Sequence, residues 1–553
     1  MRGGRRWWWL AALAAVAVVV AGVVVLRAGD PRGESSRQGV GIREGGTVRV
    51  ASTFAVTGFN PNTSKDSGPG VQDVAVSVYP SVFRIQPDFS VRLDQSFMVS
   101  AELTSQDPQT ISYQIRPDAR WSDGVPITAD DFRYLWRNSN GTNPKIDAAT
   151  TAGYERIKQV TGSADRKTVT VVFNQRYADW QGLFVSLVPA HYVRQQPGGW
   201  NRGLDKHPED IPSGGPFKIA RFRQGETVTL RRNDRYWGPR AHLDQIVIRL
   251  VTDSNAQLDA LRNRESDLIR PQPTTDLVNQ ARRLPGIRSQ ASPSLGFEHL
   301  TFNLKNSILA DLAVRRAIAT AIDTDQLVDR LLRPVDPNAQ PLGNRIWLTG
   351  QQSYQDHADG YGKGDTPAAK QLLEQAGWKL GGDGVYADNG KRLEVRYSTL
   401  GDDPRRQAEG ELLQAQLAQA GIRLRIRNAP RSAFFGWLDD GNFDIADFAW
   451  IGTPFTISNS QDVYRTGGGR NLGGFSDPKV DDLLRRAGGE VDLAKAAAGG
   501  NQIDQQLWGQ LPSIPLYQLP SFLAWRQDLV NVRSNPTAEG PFWNAGTWGF
   551  ARP

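Results

Sequence analysis

The chain has 553 residues. One hydrophobic core stops growing at about 250–300 residues, so at least two lobes are expected. Hydrophobic residues make up 39% and charged residues 22%, which is typical of a globular protein and excludes wholesale disorder. Residues 1–44 hold seven arginines and three acidic residues and so carry +4 of the formal +7. The remaining body is nearly balanced and shows no basic stripe, so nucleic-acid binding is not expected.

The residue types that usually carry enzyme chemistry are missing or scattered. Cysteine is absent, which excludes disulfides, cysteine-based metal sites, thiol nucleophiles and a lipid attached through cysteine. The five histidines are never closer than sixteen residues, so no HExxH-type pair exists. Neither a G-x-S-x-G elbow nor a G-x-x-x-x-G-K-S/T loop occurs. The sequence therefore predicts no catalytic residues, no metal site and no cofactor.

The N-terminus resembles a membrane segment. Arg2, Arg5 and Arg6 precede an uncharged run of twenty residues, 7–26, which as a helix spans about 30 Å, the thickness of the bilayer core. The leading arginines favour a cytoplasmic N-terminus, which places the rest of the chain outside. We interpret residues 1–28 as an uncleaved anchor and 29–44 as a linker. A cleaved signal peptide is the alternative, although its apolar region normally measures about 7–15 residues.

The most informative stretch is residues 121–132. Ser122, Asp123 and Gly124 predict a tight turn. Thr128 then occupies the position of a helix N-cap, and Asp131 three residues later completes a carboxylate form of the capping box. The apolar side chains that follow recur at helical spacing and predict one buried stripe; they are Phe132, Leu135 and Trp136.

Alternating and periodic apolar patterns predict both strands and helices along the rest of the chain. Strands are predicted at 45–51, 111–117, 168–173, 243–251, 300–304, 393–399, 422–427 and 443–450. Helices are predicted at 255–264, within 311–323, and at 366–376 and 405–420. Residues 382–387 superficially match a nucleotide-binding glycine motif, but Asp383-Gly384 and Asn389-Gly390 predict hairpin turns between short strands instead.

Several of these stretches resemble the signature motifs of family 5 extracellular solute-binding proteins, the dipeptide- and oligopeptide-binding components of bacterial ABC importers. In chain order they are 58–63, 121–132, 213–219, 227–238, 255–268, 300–323, 473–484 and 512–517. The resemblance covers about residues 45–550 with the motifs in the family's order. It departs from the pattern at Arg264, where the family has glycine.

The resemblance implies an α/β, two-lobed periplasmic-binding-protein-like fold of type II with an extra subdomain in lobe I. The implied boundaries are 45–295 plus 521–553 for lobe I, 76–210 for its extra subdomain, and 296–520 for lobe II. It further implies a monomer that binds a peptide or peptide-like solute between the lobes and delivers it to the transmembrane subunits of an ABC permease. With the predicted anchor, we expect a single-pass cell-membrane protein whose ectodomain faces outward.

The resemblance also implies where the ligand is contacted. The implied ligand-binding residues are Phe59, Asn60, Phe302, Asn303, Trp450, Thr453 and Asp462. Peptide binders of the family carry an aspartate three residues after the tryptophan, which pairs with the peptide's α-ammonium; here Thr453 stands there. Burying an ammonium without a counter-ion costs several kcal/mol. Either Asp462 supplies the charge, or the ligand has no free amine at this point, or the loop is shifted relative to the family.

Two other functions remain open at the level of sequence. A binding protein of the same fold could serve envelope lipid or glycolipid metabolism, or signalling, without import. An extracellular hydrolase is disfavoured because no catalytic constellation is present.

Overall fold

The computed structural model describes residues 41–401, 403–453 and 455–552. They belong to two units: residues 43–550, and a small one in which Arg552 donates hydrogen bonds to the carbonyls of Gly41 and Ile42. The predicted membrane segment, residues 7–26, lies outside the described residues. Within the described ranges, no helix combines the length and apolarity needed to cross a bilayer.

The larger unit mixes helices and strands along its whole length. The α-helices of the described residues are α1 (Pro69–Val78), α2 (Ala129–Ser139), α3 (Ala190–Val193), α4 (Gly199–Arg202), α5 (Ser254–Arg262), α6 (Thr275–Arg283), α7 (Leu312–Ala321), α8 (Thr324–Leu331), α9 (Thr366–Gln375), α10 (Pro404–Gln419), α11 (Arg431–Asp439), α12 (Thr456–Tyr464), α13 (Pro478–Gly488) and α14 (Leu493–Gln510). Short 3₁₀ turns lie at Ser64–Asp66, Tyr154–Arg156, Trp180–Gly182, Pro208–Asp210 and Pro541–Thr547.

The described residues also form β-strands, numbered here in chain order. They are β1 (Ile42–Arg43), β2 (Thr47–Ser52), β3 (Phe83–Ile85), β4 (Val91–Leu93), β5 (Met98–Gln106), β6 (Gln109–Ile115), β7 (Ile157–Gly162), β8 (Thr168–Phe173), β9 (Phe217–Arg223), β10 (Thr227–Arg232), β11 (Gln245–Leu250), β12 (Leu268–Arg270), β13 (Ile287–Phe302), β14 (Lys379–Leu380), β15 (Tyr386–Asp388), β16 (Lys391–Arg392), β17 (Glu394–Leu400), β18 (Arg423–Ala429), β19 (Ile445–Ile451), β20 (Ser513–Arg526), β21 (Leu529–Val530) and β22 (Gly549–Ala551). The predicted strands and helices all appear, most with ends shifted by one to three residues.

A ten-stranded mixed sheet runs through the unit in the order β18-β17-β19-β13-β20-β12-β2-β11-β10-β9. Its two central strands, β13 and β20, are long and antiparallel, but their register is irregular between Pro293 and Phe297, and Pro293 faces Pro520. Proline has no N–H to donate, so two opposed prolines weaken the ladder at this point. The predicted lobe boundaries, 295/296 and 520/521, lie at the same break.

Separate apolar cores lie on either side of that break. One is built from residues between 48 and 268 together with 523–550, and includes the fully buried Trp121 and Trp548. The other is built from residues between 300 and 517, and includes the fully buried Tyr397 and Tyr517. The predicted two-lobed α/β organisation is confirmed, with β13 and β20 as the ribbon that joins the lobes.

The predicted capping box at the start of α2 is present. The Thr128 hydroxyl accepts a hydrogen bond from the Asp130 N–H at 3.3 Å, and the Asp131 carboxylate accepts one from the Thr128 N–H at 2.9 Å. The second oxygen of Asp131 accepts from the Ala190 N–H, which ties α2 to α3. Phe132 and Leu135 are fully buried, as the stripe predicts. The motif is therefore a folding feature of the first lobe.

The second core contains a buried cluster of charged side chains. Glu298 on β13 pairs with Arg405 and Arg406 at the start of α10, and Asp447 on β19 accepts hydrogen bonds from Tyr397 and Thr399. Burial opposes the charge of Glu298, but the two arginines outweigh it and lower its pKa. Burial, together with the charge of Glu298, raises the pKa of Asp447 to about 7.

Candidate functional site

A cavity of about 820 Å³ lies between residues of the predicted extra subdomain and residues of lobe II. The subdomain wall includes residues 149–156 together with Tyr177 and Gly182. The opposite wall is built from Thr453, Phe455 and the exposed face and C-terminal end of α12. Cavities between domains are where such folds bind small molecules.

The cavity is lined by both polar and apolar surface. Hydroxyl and amide side chains line both sides, among them Asn62, Thr150, Ser458, Asn459 and Gln461. Such groups both donate and accept hydrogen bonds, so they can satisfy the N–H and C=O groups of a bound peptide backbone. Aromatic contact is supplied by Tyr154, Tyr177 and Phe455.

Two of the implied ligand-binding residues line this cavity. Thr453 is exposed, and its hydroxyl accepts a hydrogen bond from the Phe455 N–H at 3.2 Å, which shapes the turn before α12. Asp462 also lines the cavity, from within α12. Its carboxylate already accepts a hydrogen bond from the Gly469 N–H and lies 3.3 Å from Nε of Arg470.

Trp450 stands behind the same wall. Its ring stacks on the buried His299 at 5.7 Å between centroids and meets Phe448 edge-on at 4.9 Å. The Trp450 ring also contacts Arg470, whose guanidinium carbon lies 5.8 Å from the ring centroid. Trp450 therefore supports Arg470, which does line the cavity.

The remaining four implied residues lie in the protein interior. Phe59 and Asn60 are almost fully buried, and the Asn60 amide donates a hydrogen bond to the Trp200 carbonyl at 2.7 Å. Phe302 is fully buried, and the Asn303 amide donates a hydrogen bond to the Phe443 carbonyl at 2.9 Å. The geometry gives these four residues packing contacts, and their part in ligand binding stays a prediction.

The charges of the cavity wall do not cancel. Three arginines and two acidic residues line it. Arg156 has Nε 3.5 Å from a Glu155 oxygen, and Arg470 pairs with Asp462. Arg465, the residue at the C-terminal end of α12, has no acidic partner within ion-pair distance among the residues that the structure describes.

The two walls touch each other next to the cavity. The buried carboxylate of Asp179, on the subdomain side, accepts hydrogen bonds from the Ser458 N–H at 2.9 Å and from the Ser458 hydroxyl at 2.6 Å. The Phe455 ring packs on Gly182 so closely that a Cβ there would lie 2.9 Å from it. Burial raises the pKa of Asp179 against the lowering effect of Ser458. We call these contacts the inter-lobe clasp.

Sequence reasoning missed Asp179, Arg465 and Arg470. Arg470 follows the glycine run 467–469, and that run marks a tight turn whose backbone is held by Asp462. The glycine run is the sequence feature that could have pointed to Arg470 as a residue held in a fixed turn. Asp179 becomes recognisable only when α12 is placed against it, because 279 residues separate it from Ser458.

Two α/β lobes joined by a two-stranded ribbon, with a cavity between them, are the architecture of a solute-binding protein. Residues 97–471 match the family of bacterial extracellular solute-binding proteins, family 5. The chain belongs to this family.

Three relatives illustrate the range of the similarity. The chain is 33% identical over 504 residues to the oligopeptide-binding protein OppA of Mycobacterium tuberculosis, covering 90% of this chain and 84% of that protein. It is 34% identical over 278 residues to the probable monoacyl phosphatidylinositol tetramannoside-binding protein LpqW of the same species, covering 49% and 43%. The solved structure of a periplasmic EDTA-binding protein, EppA, superposes with a TM-score of 0.87 at 34% identity and covers 95% of this chain and 100% of that one.

Proposed function

We propose that this protein binds a peptide or peptide-like solute between its lobes and delivers it to the transmembrane subunits of an ABC importer. The observation that carries the proposal is the similarity to the oligopeptide-binding protein OppA along 90% of the chain. The inter-lobe cavity of about 820 Å³ supports it, because the hydroxyl and amide side chains in its walls can hydrogen-bond peptide groups.

The finer assignments belong to the same proposal. Lobe I comprises 45–295 and 521–553 with 76–210 as its extra subdomain, and lobe II comprises 296–520. Residues 7–26 hold the protein at the membrane as a single-pass anchor, with a monomeric ectodomain outside. Thr453 and Asp462 contact the ligand directly, and Trp450 acts through Arg470.

A second candidate is binding of an envelope glycolipid without import. It is favoured by the similarity to LpqW, which extends over 49% of this chain. The peptide proposal has the broader support, because the similarity to OppA extends over 90% of this chain.

Calorimetry with the full chain in a mild detergent tests the proposal. The probes are a panel of tri- to pentapeptides and, separately, an acylated phosphatidylinositol mannoside. We expect saturable one-to-one binding of peptides. Binding of the glycolipid alone would contradict the proposal and support the second candidate.

A further inference from the structure

We infer that Arg465 and Arg470 form an anion-recognition site on the lobe II wall of the cavity, and that the ligand presents a carboxylate or similar acidic group to it. The inference rests on the proposed function and narrows its ligand class. It follows from how the Arg470 side chain is held and from the lack of an acidic partner for Arg465 among the described residues.

Arg470 is held in place on two sides. Its Nε lies 3.3 Å from a carboxylate oxygen of Asp462, and its guanidinium lies over the face of Trp450. Its backbone is fixed as well, because the Arg470 N–H donates to the Asp462 carbonyl at 3.1 Å. Its two Nη atoms have no hydrogen-bond acceptor within the described part of the chain. An oriented guanidinium with unused N–H groups matches a carboxylate in two-point geometry.

Arg465 adds a charge that the wall does not neutralise. It ends α12, and its carbonyl accepts hydrogen bonds from Gly468 and from the Asn471 amide, which fixes the turn between the two arginines. Arg465 also lines a second cavity of about 740 Å³ next to the first. Asp462 is already paired with Arg470. The unpaired charge that this wall presents to a ligand is therefore the positive charge of Arg465.

The same arrangement disfavours a free α-ammonium at this wall. Asp462 is the acidic residue among the described lobe II residues that line the cavity, and an ammonium would share its carboxylate with Arg470. A hydroxyl such as that of Thr453 provides a hydrogen bond but no charge. A ligand that is anionic here gains charge-assisted hydrogen bonds without displacing anything.

The test is calorimetry on the full chain with four probes. They are an N-acetylated tripeptide acid, its C-terminal amide, the unmodified tripeptide, and EDTA as a polycarboxylate without a peptide bond. We expect the acetylated acid to bind about tenfold or more tightly than its amide, since hydrogen bonds to a charged group are the strong ones. Arg470→Gln should bring that ratio close to one, Arg465→Gln should reduce it, and Arg470→Lys should keep part of it.

Arg425→Gln is the matched control, because Arg425 is an exposed arginine that pairs with Glu394 at the edge strand of the sheet. Circular dichroism of each variant reports whether it is folded. Equal binding of acid and amide would overturn the inference and leave the proposed function standing. Binding of EDTA alone, lost in Arg470→Gln, would overturn the peptide proposal and keep the anion site. Binding of no probe would overturn both.

Discussion

Arg264 occupies a backbone conformation that favours glycine, which is the family's residue at this position. Its φ is +60°, in the left-handed region, directly after α5. A side chain in this region costs about 1–2 kcal/mol, which glycine avoids. The Arg264 side chain is exposed and has no ion-pair partner within the described ranges.

We therefore expect Arg264→Gly to raise the free energy of unfolding by about 0.5–1 kcal/mol, after the larger backbone entropy of glycine is subtracted. Chemical denaturation of the full chain measures it. Ala256→Gly, at an exposed position within α5, is the control and should destabilise. A loss of stability in Arg264→Gly would contradict the strain argument.

Thr453 lines the lobe II wall of the cavity, so substituting it changes the charge that a ligand meets there. Thr453→Asp adds a carboxylate to a wall that now carries an excess of arginine. Unmodified di- and tripeptides should then bind more tightly, by about tenfold for each 1.4 kcal/mol gained. The N-acetylated tripeptide acid should bind more weakly, because the added charge repels it. Tight wild-type binding of unmodified peptides, abolished by Asp462→Asn, would instead make Asp462 the counter-ion of the ammonium.

The buried Asp447 predicts a pH dependence of stability. Burial raises its pKa to about 7, and one of its oxygens has no hydrogen-bond partner, which suits the neutral acid. The folded state then binds a proton that the unfolded state releases above about pH 4. Stability from this group is fully present below pH 4 and is lost as the pH rises to 7. Asp447→Asn should flatten the slope of the free energy of unfolding between pH 5 and 7; an unchanged slope would contradict the assignment.

We expect the inter-lobe clasp to hold the two lobes in contact. Asp179→Ala removes two hydrogen bonds to Ser458 at the start of α12. Because hydrogen bonds to a carboxylate contribute about 1.5–3 kcal/mol, the lobes should open more often. The chain lacks cysteine, so Lys158→Cys and Lys479→Cys can carry a donor and an acceptor dye. We expect lower energy transfer in Asp179→Ala.

The control for the clasp is Glu102→Ala, because Glu102 is exposed on β5 of the same subdomain. Equal energy transfer in Asp179→Ala and Glu102→Ala would mean that the clasp does not hold the lobes. Gly182→Leu should act in the same direction as Asp179→Ala, since a larger side chain there meets the Phe455 ring.

Elements set by local chemistry were predictable from the sequence. The capping box of α2 and the Asn389-Gly390 turn depend only on neighbouring residues, and both are present; Asn389 and Gly390 have φ of +48° and +76°, as a hairpin turn requires. The length of β13 was not predictable, because only its last residues alternate clearly. Its first half is a strand because β20 pairs with it, a contact between residues more than 220 positions apart.

Motif order predicted the family, the two lobes and a binding site between them, whereas it did not predict most of the residues that line the cavity. Its walls come from loops around 150 and from α12, about 300 residues later. Four of the implied ligand-binding residues belong to motifs and are buried, so their contact with a ligand stays a prediction: Phe59, Asn60, Phe302 and Asn303. Arg465 and Arg470 lie outside those motifs and face the cavity.

The most direct test of the account is the identity of the solute that the protein carries. The full chain, purified in a mild detergent, is analysed by native mass spectrometry, and the released solute is sequenced by tandem mass spectrometry. We expect one peptide or peptide-like molecule per chain, with a free acidic group. An acylated glycolipid as the bound species, with no peptide detected, would contradict it.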